Sequence, residues 1–453
     1  MRKFRKYQPE QLLLLPPALN DWLPKGHLAS FISDLIDTLD LSTIYDSYDE
    51  AKGGQPPYHP AMMVKLLCYG YCVGVTSSRE LEKATWESVP FRVLSNDQHP
   101  DHDSIAAFRQ RHLKALSGLF KQVVEIAVKT KLVDLQHVAV DGTKVFANAG
   151  RGKTLSEEKV IEREEKLKRI VAKILEEAER VDKEEDELYG DRSSYLLPKE
   201  YDNAEYRLKK IQEFKEQIEQ EKKEIDRKKK EEEEKNNKKG PPKGGKKGSK
   251  KTDKKSKESD SGSKTKSVKR NMTDFDSRIM RLQGGNWGQC YNSQAVVDSK
   301  NQIIVASDVT NEVNDKQQLV SMLSQVEQEA GRKPALAIAD AGYYTNTALS
   351  SEDLKEIDLV VSVGKTEERK WKRGTRAFQA SDKMRTKLKD PEYKAIYARR
   401  KQIVEPVFGQ IKESVQEFRR FSFRGLEKVK QEWKLVCATH NILKLFRSGW
   451  KPA

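Results

Sequence analysis

Residues 135–148 read "LQHVAVDGTKVFAN" and residues 335–344 read "ALAIADAGYY". Each is a short apolar run that ends on an aspartate, Asp141 or Asp340, with a small residue beside it. Runs of this length, rich in Val, Ile and Ala and closed by Asp and Gly, predict buried strands. Outward from them, 291–310 "YNSQAVVDSKNQIIVASDVT" predicts two strands joined by a short turn. Helices are predicted over 315–331 "DKQQLVSMLSQVEQEAG" and 347–357 "TALSSEDLKEI", and a further strand at 358–364 "DLVVSVG". Three early strands with short links suit an antiparallel meander, and later strands separated by helices suit parallel pairing. The chain is therefore expected to be α/β, with a mixed sheet flanked by helices.

The two aspartates raise a chemical question. A carboxylate on a buried strand is costly without a partner, and two of them invite a cation between them. Singly, each has a plainer explanation, because Asp-Gly is a turn signal and a strand-ending Asp often caps a helix. Residues 397–412, "YARRKQIVEPVFGQIK", bear on the choice. There Glu405 is the one carboxylate among Arg399, Arg400, Lys401 and Lys412. Spacings of four and seven put Lys401, Glu405 and Lys412 on one helix face. Pro406 either begins that helix just after Glu405 or kinks it there. Either geometry aims the glutamate at the sheet edge as a third metal-binding carboxylate, while the cations grip a DNA backbone phosphate.

The rest of the chain sets the context. At 453 residues it is long enough for two or three domains. The net charge is +15, but residues 236–270 alone hold 14 Lys/Arg against 3 Asp/Glu. Bulk charge therefore does not by itself establish a polyanionic partner. Four scattered cysteines exclude a disulfide framework and suggest a reducing compartment; Cys68 and Cys72, in an apolar run, read as core. The apolar "LLLL" before Pro16 is too short for a signal or anchor, so a soluble, cytoplasmic protein is expected.

Residues 1–130 read as mostly helical, from "HLASFISDLIDTLDL" and "YHPAMMVKLLCYGYCVGV" onward. In "HPDHDSIAAFRQRH", 99–112, Asp103 or Ser104 caps a helix bearing Arg109 and Arg111. Those arginines either face DNA phosphates or belong to a solvated helix face. Residues 151–235 predict an antiparallel helical hairpin. One seam is Ile161, Leu167, Ile170, Val171, Ile174, Ala178 and Val181; the other is Leu208, Ile211, Phe214, Ile218 and Ile225. The Lys-rich stretch 236–270 is almost without apolar residues and is expected to be a disordered linker. Asp298 and Asp308 read as turn residues and Trp433 as core, while Trp287 stays open between packing and base stacking.

Taken together, "VAVDGTKVFANA", "TDFDSRIMR", "GQCYNSQAVVDSKNQIIVASDVTN", "AIADAGYY", "YARRKQIVEPVFGQIKES" and "FRRFSFRGLEKVKQEWKLVCATHN" resemble the DDE transposases of bacterial insertion sequences. The resemblance is to the group with a helical N-terminal domain and an insertion after the first catalytic strand, and it covers nearly the whole chain outside 151–270. It implies a ribonuclease-H-like catalytic domain split into 131–150 and 271–453, preceded by a DNA-binding domain over 1–130. It carries the catalytic, metal-binding triad onto Asp141, Asp340 and Glu405. The family's Tyr, Arg, Glu and Lys signature falls on Tyr397, Arg400, Glu405 and Lys412. The interval from Arg400 to Glu405 is one residue longer than usual and Lys401 stands at the expected position, so either cation can be the phosphate contact.

The implied activity is metal-dependent cleavage and strand transfer on DNA, using two Mg²⁺ ions with Mn²⁺ as a substitute. The implied partners are the element's terminal inverted repeats, target DNA and a second copy of the chain, in a nucleoid-associated setting with no membrane. Two alternatives remain: a repurposed transposase acting as a DNA-binding scaffold, and a ribonuclease-H-like nuclease that cuts without joining.

Overall fold

A computed structural model describes residues 18–48, 56–189, 199–237, 269–282, 285–363 and 376–452. The "LLLL" stretch and most of the expected Lys-rich linker lie outside the described residues. The chain forms two compact units, one of Met1–Asn148 with Ser277–Ala453 and one of Ala149–Asp276. Among the described residues the strands are β1 (His137–Phe146), β2 (Thr154–Ser156), β3 (Lys269–Asn271), β4 (Arg278–Arg281), β5 (Trp287–Asp298), β6 (Ile304–Thr310), β7 (Leu336–Ala339) and β8 (Asp358–Val361).

The larger unit is built on a mixed sheet ordered β4-β5-β1-β7-β8, with β6 also paired to β5. β1 and β5 are antiparallel from Val138↔Asp298 to Phe146↔Cys290. On its other edge β5 takes β4 at its start and β6 along the rest, both antiparallel. β7 joins β1 in parallel, and β8 joins β7 in parallel. The mixed α/β reading thus holds, with one added strand: β4 is short, carries an arginine at each end and offers little apolar pattern to read.

Helices α1 (Leu28–Thr38), α2 (Ser42–Tyr45), α3 (Pro60–Cys72), α4 (Ser78–Glu87), α5 (Val89–Leu94) and α6 (His102–Lys129) precede β1. The cap of α6 is Asp101, two residues earlier than the expected earliest cap; it accepts from the Ser104 N–H at 2.8 Å. All four cysteines are free and buried, Cys68 and Cys72 within the α3 core. Among the described residues no helix is long and apolar enough to cross a membrane.

In the smaller unit, α7 (Glu157–Tyr189) and α8 (Lys199–Asn237) rise from the β2–β3 pair. Lys222 pairs with Glu157 and Lys215 with Glu164, a matched descent along both helices that defines an antiparallel hairpin. The α7 seam differs from the expected one. Ile161 and Ile170 are 40% and 39% exposed, while Val160 and Glu164 are buried and Leu167 half-buried. Positions 160, 164, 167, 171 and 174 alternate steps of four and three, the period of a two-helix seam, and Ile161 is one residue off it. Glu164 is tolerated there because Lys168 and Lys215 hold its oxygens at 2.7 and 2.9 Å. On α8, Ile211, Phe214 and Ile218 are buried as expected. The side chains of Ala178 and Val181 lie outside the described residues. Lys269 and Arg270, expected in the linker, are in β3.

Among the described residues, six α-helices follow β6: α9 (Gln318–Ala330), α10 (Asn346–Leu349), α11 (Arg376–Lys389), α12 (Pro391–Ala398), α13 (Arg400–Gly409) and α14 (Leu426–Arg447). α14 is the spine of the larger unit, packed along α6 and against α3 and β6. Its Trp433 is fully buried and donates to the Gln294 carbonyl at 3.0 Å, while Asn441 holds both polar groups of Ile304 in β6. Trp287 is half exposed, at 50%.

Glu432, also on α14, is wholly buried and accepts from Tyr71 Oη and from the N–H groups of Ser422 and Phe423. Tyr71 in turn receives Arg109, so one polar chain ties α3, α6 and α14 together. Removing the carboxylate leaves several buried donors unmet. Glu432→Ala is expected to lower unfolding stability by about 3 kcal/mol in urea titration. A loss below about 0.5 kcal/mol, the level of an ordinary surface change, contradicts this role.

Candidate active site

The sheet register alone brings the two aspartates together. The parallel pairing of β1 and β7 ends at Val140↔Ala339, and the next residue on each strand is Asp141 or Asp340. Neighbouring strands lie about 4.8 Å apart, so the carboxylates leave the sheet side by side. Asp141 Oδ1 accepts from the Gly142 N–H at 2.8 Å, and its Oδ2 takes Arg400 at 2.7 Å. Asp340 caps a short 3-10 turn, accepting from the Gly342 N–H at 2.8 Å.

Burial pushes the Asp141 carboxyl up to about 6; the Arg400 charge and the Gly142 N–H pull against it, and Asp340 adds to the rise. A carboxyl that needs a guanidinium at 2.7 Å to stay near 6 is short of positive charge.

Alternation along β1 gives the site two sides. Asp141 and Thr143 point one way, toward α13 and the π-helical turn Gln410–Ser414 that follows it. Lys412, in that turn, donates to Thr143 Oγ1 at 3.1 Å and to the Lys144 carbonyl at 3.2 Å. Gly142 and Lys144 point the other way, opposite Gln294 and Asn292 of β5. Asp315 sits on that side, accepting from Asn292 Nδ2 at 2.6 Å and Gln294 Nε2 at 2.7 Å, with Lys144 at 3.9 Å. Gln294 also receives the hydroxyl of fully buried Tyr343.

The glycines explain the close packing. A Cβ on Gly142 would lie 2.4 Å from Gln294 Nε2 and 3.0 Å from Asp315 Oδ1; one on Gly342 would lie 2.9 Å from Asp340 Oδ1 and 3.6 Å from Asp315 Oδ2. Asp315 therefore stands behind both aspartates.

The sequence reading missed Asp315, Gln294, Asn292 and Tyr343. A signal was present: Asn292, Ser293 and Gln294 interrupt an apolar strand, and buried amides require partners.

The cations separate clearly. Arg400 reaches Asp141, whereas Lys401 is exposed and Tyr397 half-buried. Lys401 and Glu405, four apart in α13, share an exposed face as expected, but Lys412 does not join them. Pro406 lies inside α13 and does not start it, and the turn from Gln410 is π-helical, which resets the helical phase before Lys412. Proline has no N–H for the Gln402 carbonyl, which accepts instead from Gln302 Nε2 at 3.0 Å. Glu405 is exposed, about 140° around the helix from Arg400 at 3.6 residues per turn, and is not gathered with the aspartates.

Arg109, read as a phosphate contact, is instead 7% exposed and turned inward, its Nη1 donating to the Thr76 carbonyl at 2.6 Å. Arg111 is exposed. Asp298 is buried as a turn acceptor for the N–H groups of Leu135 and Lys300, and Asp308 pairs with Lys430.

Comparison with known proteins gives the class. Residues 17–111 match the family described as Transposase domain (DUF772), and residues 363–446 match the Transposase DDE domain. The second match contains Arg400, Glu405 and Lys412. The two matches support reading this chain as a DDE transposase of an insertion sequence. No curated protein and no solved structure matches it.

DDE transposases generally use a divalent metal. The donor set here suits a hard cation in part: Asp141 and Asp340 offer adjacent carboxylate oxygens, and the Asp141 oxygens are short of positive charge. Among the described residues no three Asp, Glu, His or Cys side chains converge to hold a metal.

Because Arg400 holds the Asp141 pKa down, Arg400→Ala is expected to move its titration above 6, followed by carboxylate NMR of metal-free protein. An unchanged or lower value contradicts the pairing. The sign for stability follows. A carboxyl raised from 3.8 to about 6 contributes stability that is present below 3.8 and lost as pH rises through 6.

Proposed function

We propose that this transposase binds the ends of its element, cuts DNA there and joins the cut strand to a target, using Asp141, Asp340 and Glu405. The observation that carries the proposal is the register that sets Asp141 beside Asp340 with a cation, Arg400, already on Asp141. The strand order supports a ribonuclease-H-like fold. With the edge strand β4 set aside it runs β6-β5-β1-β7-β8, antiparallel through the first three strands and parallel through the last three.

The residues divide the work. Asp141 and Asp340 would hold a divalent metal, Mg²⁺ or Mn²⁺, with Glu405 completing the set once α13 or the DNA brings it in. Bound there, metal supplies Lewis-acid stabilisation and a water of lowered pKa for attack on a phosphodiester. Arg400 and Lys412 put two positive charges on the Asp141 face, where they bind and orient backbone phosphates. Asp315, through Gln294 and Asn292, fixes β5, the strand paired with the one that carries Asp141. Water attack releases a 3′-hydroxyl, which in turn attacks a target phosphodiester and displaces its 3′-oxygen.

The test is incubation of purified protein with a plasmid carrying the inverted repeats that flank its gene, with Mg²⁺ or with EDTA. Mg²⁺-dependent cleavage at the repeat tips followed by joined products is expected. Loss of an outer partner of a metal site commonly costs about 10–100-fold, so Asp141→Ala and Glu405→Gln should each cost more than about a hundredfold while end binding persists. Full cleavage by either variant contradicts the assignment. Nicks without joining indicate the nuclease alternative, and end binding without cleavage indicates a scaffold.

A further inference from the structure

The hairpin unit contains a cavity of about 640 Å³ whose lining departs from the mixed charge of its helices. Lys153, Arg163, Lys166, Arg207 and Lys210 line it, with apolar side chains between them and no carboxylate among the lining residues. Around it α7 and α8 alternate acids and bases, so the one-signed lining comes from helical phase and not from composition. Arg163 and Lys166 are one turn apart on α7; Arg207 and Lys210 are one turn apart on α8. Glu165, beside Lys166 in sequence, turns away and pairs with Arg169.

Tyr206 also lines the cavity and is 64% exposed, with Lys210 Nζ 5.6 Å from its ring centre. Lys210 is shared with Glu213 at 3.5 Å, whereas Lys153, Lys166 and Arg207 have no carboxylate partner among the described residues. Unpaired cations on a two-helix face beside an exposed aromatic ring match a polyphosphate backbone. An apolar ligand would leave the cations unpaired.

We propose that this groove is a second DNA-binding surface, distinct from the Asp141 site, which grips the backbone phosphates of a duplex through Lys153, Arg163, Lys166 and Arg207 with Tyr206 packed against a sugar or base. It rests on the reading of the chain as a transposase acting on DNA. The contacts are to backbone, so the groove adds affinity and carries no sequence preference of its own.

The experiment compares wild type with Lys166→Glu/Arg207→Glu in the full chain, binding a labelled element-end duplex and an unrelated duplex across a salt series without metal. Both residues are exposed, and the unfolding midpoint of the variant checks that the fold is kept. Losing two phosphate contacts should reduce the slope of log K against log salt by about 2 for both duplexes. The affinity ratio between about 50 mM and about 200 mM salt should then shrink by about tenfold. An unchanged slope and affinity on wild-type-like binding overturns the groove and leaves the transposase reading standing. A loss confined to the element-end duplex also overturns it, since that is sequence readout. Wild type that binds neither duplex overturns both.

Discussion

The larger unit depends on one constraint: the parallel pairing of β1 with β7 stops one residue before an aspartate on each strand. Two carboxylates set side by side at the end of a buried sheet repel each other and are poorly solvated. The chain meets this from both sides of the strand. In front, Arg400 neutralises Asp141. Behind, Asn292, Gln294 and Lys144 gather around Asp315, a further negative charge held by its own donors. The result is a rigid, charge-strained edge whose cost suits a site for a hard cation more than a structural turn.

The helical part of the larger unit serves that edge at a distance. α14 fills the core with Trp433 and closes β6 with Asn441, while Glu432 accepts the amides of Ser422 and Phe423. The segment ahead of those residues returns beside β1: the Phe146 N–H donates to the Arg419 carbonyl, and the Phe421 N–H to the Phe146 carbonyl. This seam anchors the π turn, and through it Lys412 on Thr143. The buried polar chain from Arg109 through Tyr71 to Glu432 thus bears on the geometry of the site without touching it.

Much of this was legible in the sequence because it rests on short-range patterns. The apolar runs closing on Asp141 and Asp340 read as strands of a mixed sheet, whereas the parallel pairing of β1 with β7 that makes the two aspartates neighbours is seen only in the fold. Long-range and phase-dependent features were not legible. Asp315 lies in a loop and is identified only by the amides it meets across β5. Arg109 and Arg111, two apart, read alike as cations, yet helical phase buries one and exposes the other. Glu405 and Lys412 were placed on one face by assuming a regular helix, and the π turn after Gly409 breaks that assumption. On the hairpin, Ile161 and Ile170 fit an apolar stripe by composition, but the heptad register passes through Glu164, which two lysines make tolerable.

The central claim is that Asp141 and Asp340 form one cation site. Manganese binding followed by electron paramagnetic resonance tests it most directly, comparing metal-titrated wild type with Asp141→Asn and Asp340→Asn before any DNA is added. The account predicts a bound Mn²⁺ signal in wild type that either single substitution weakens by at least about tenfold in affinity. Equal binding by all three proteins, or loss with only one of the two substitutions, would contradict it.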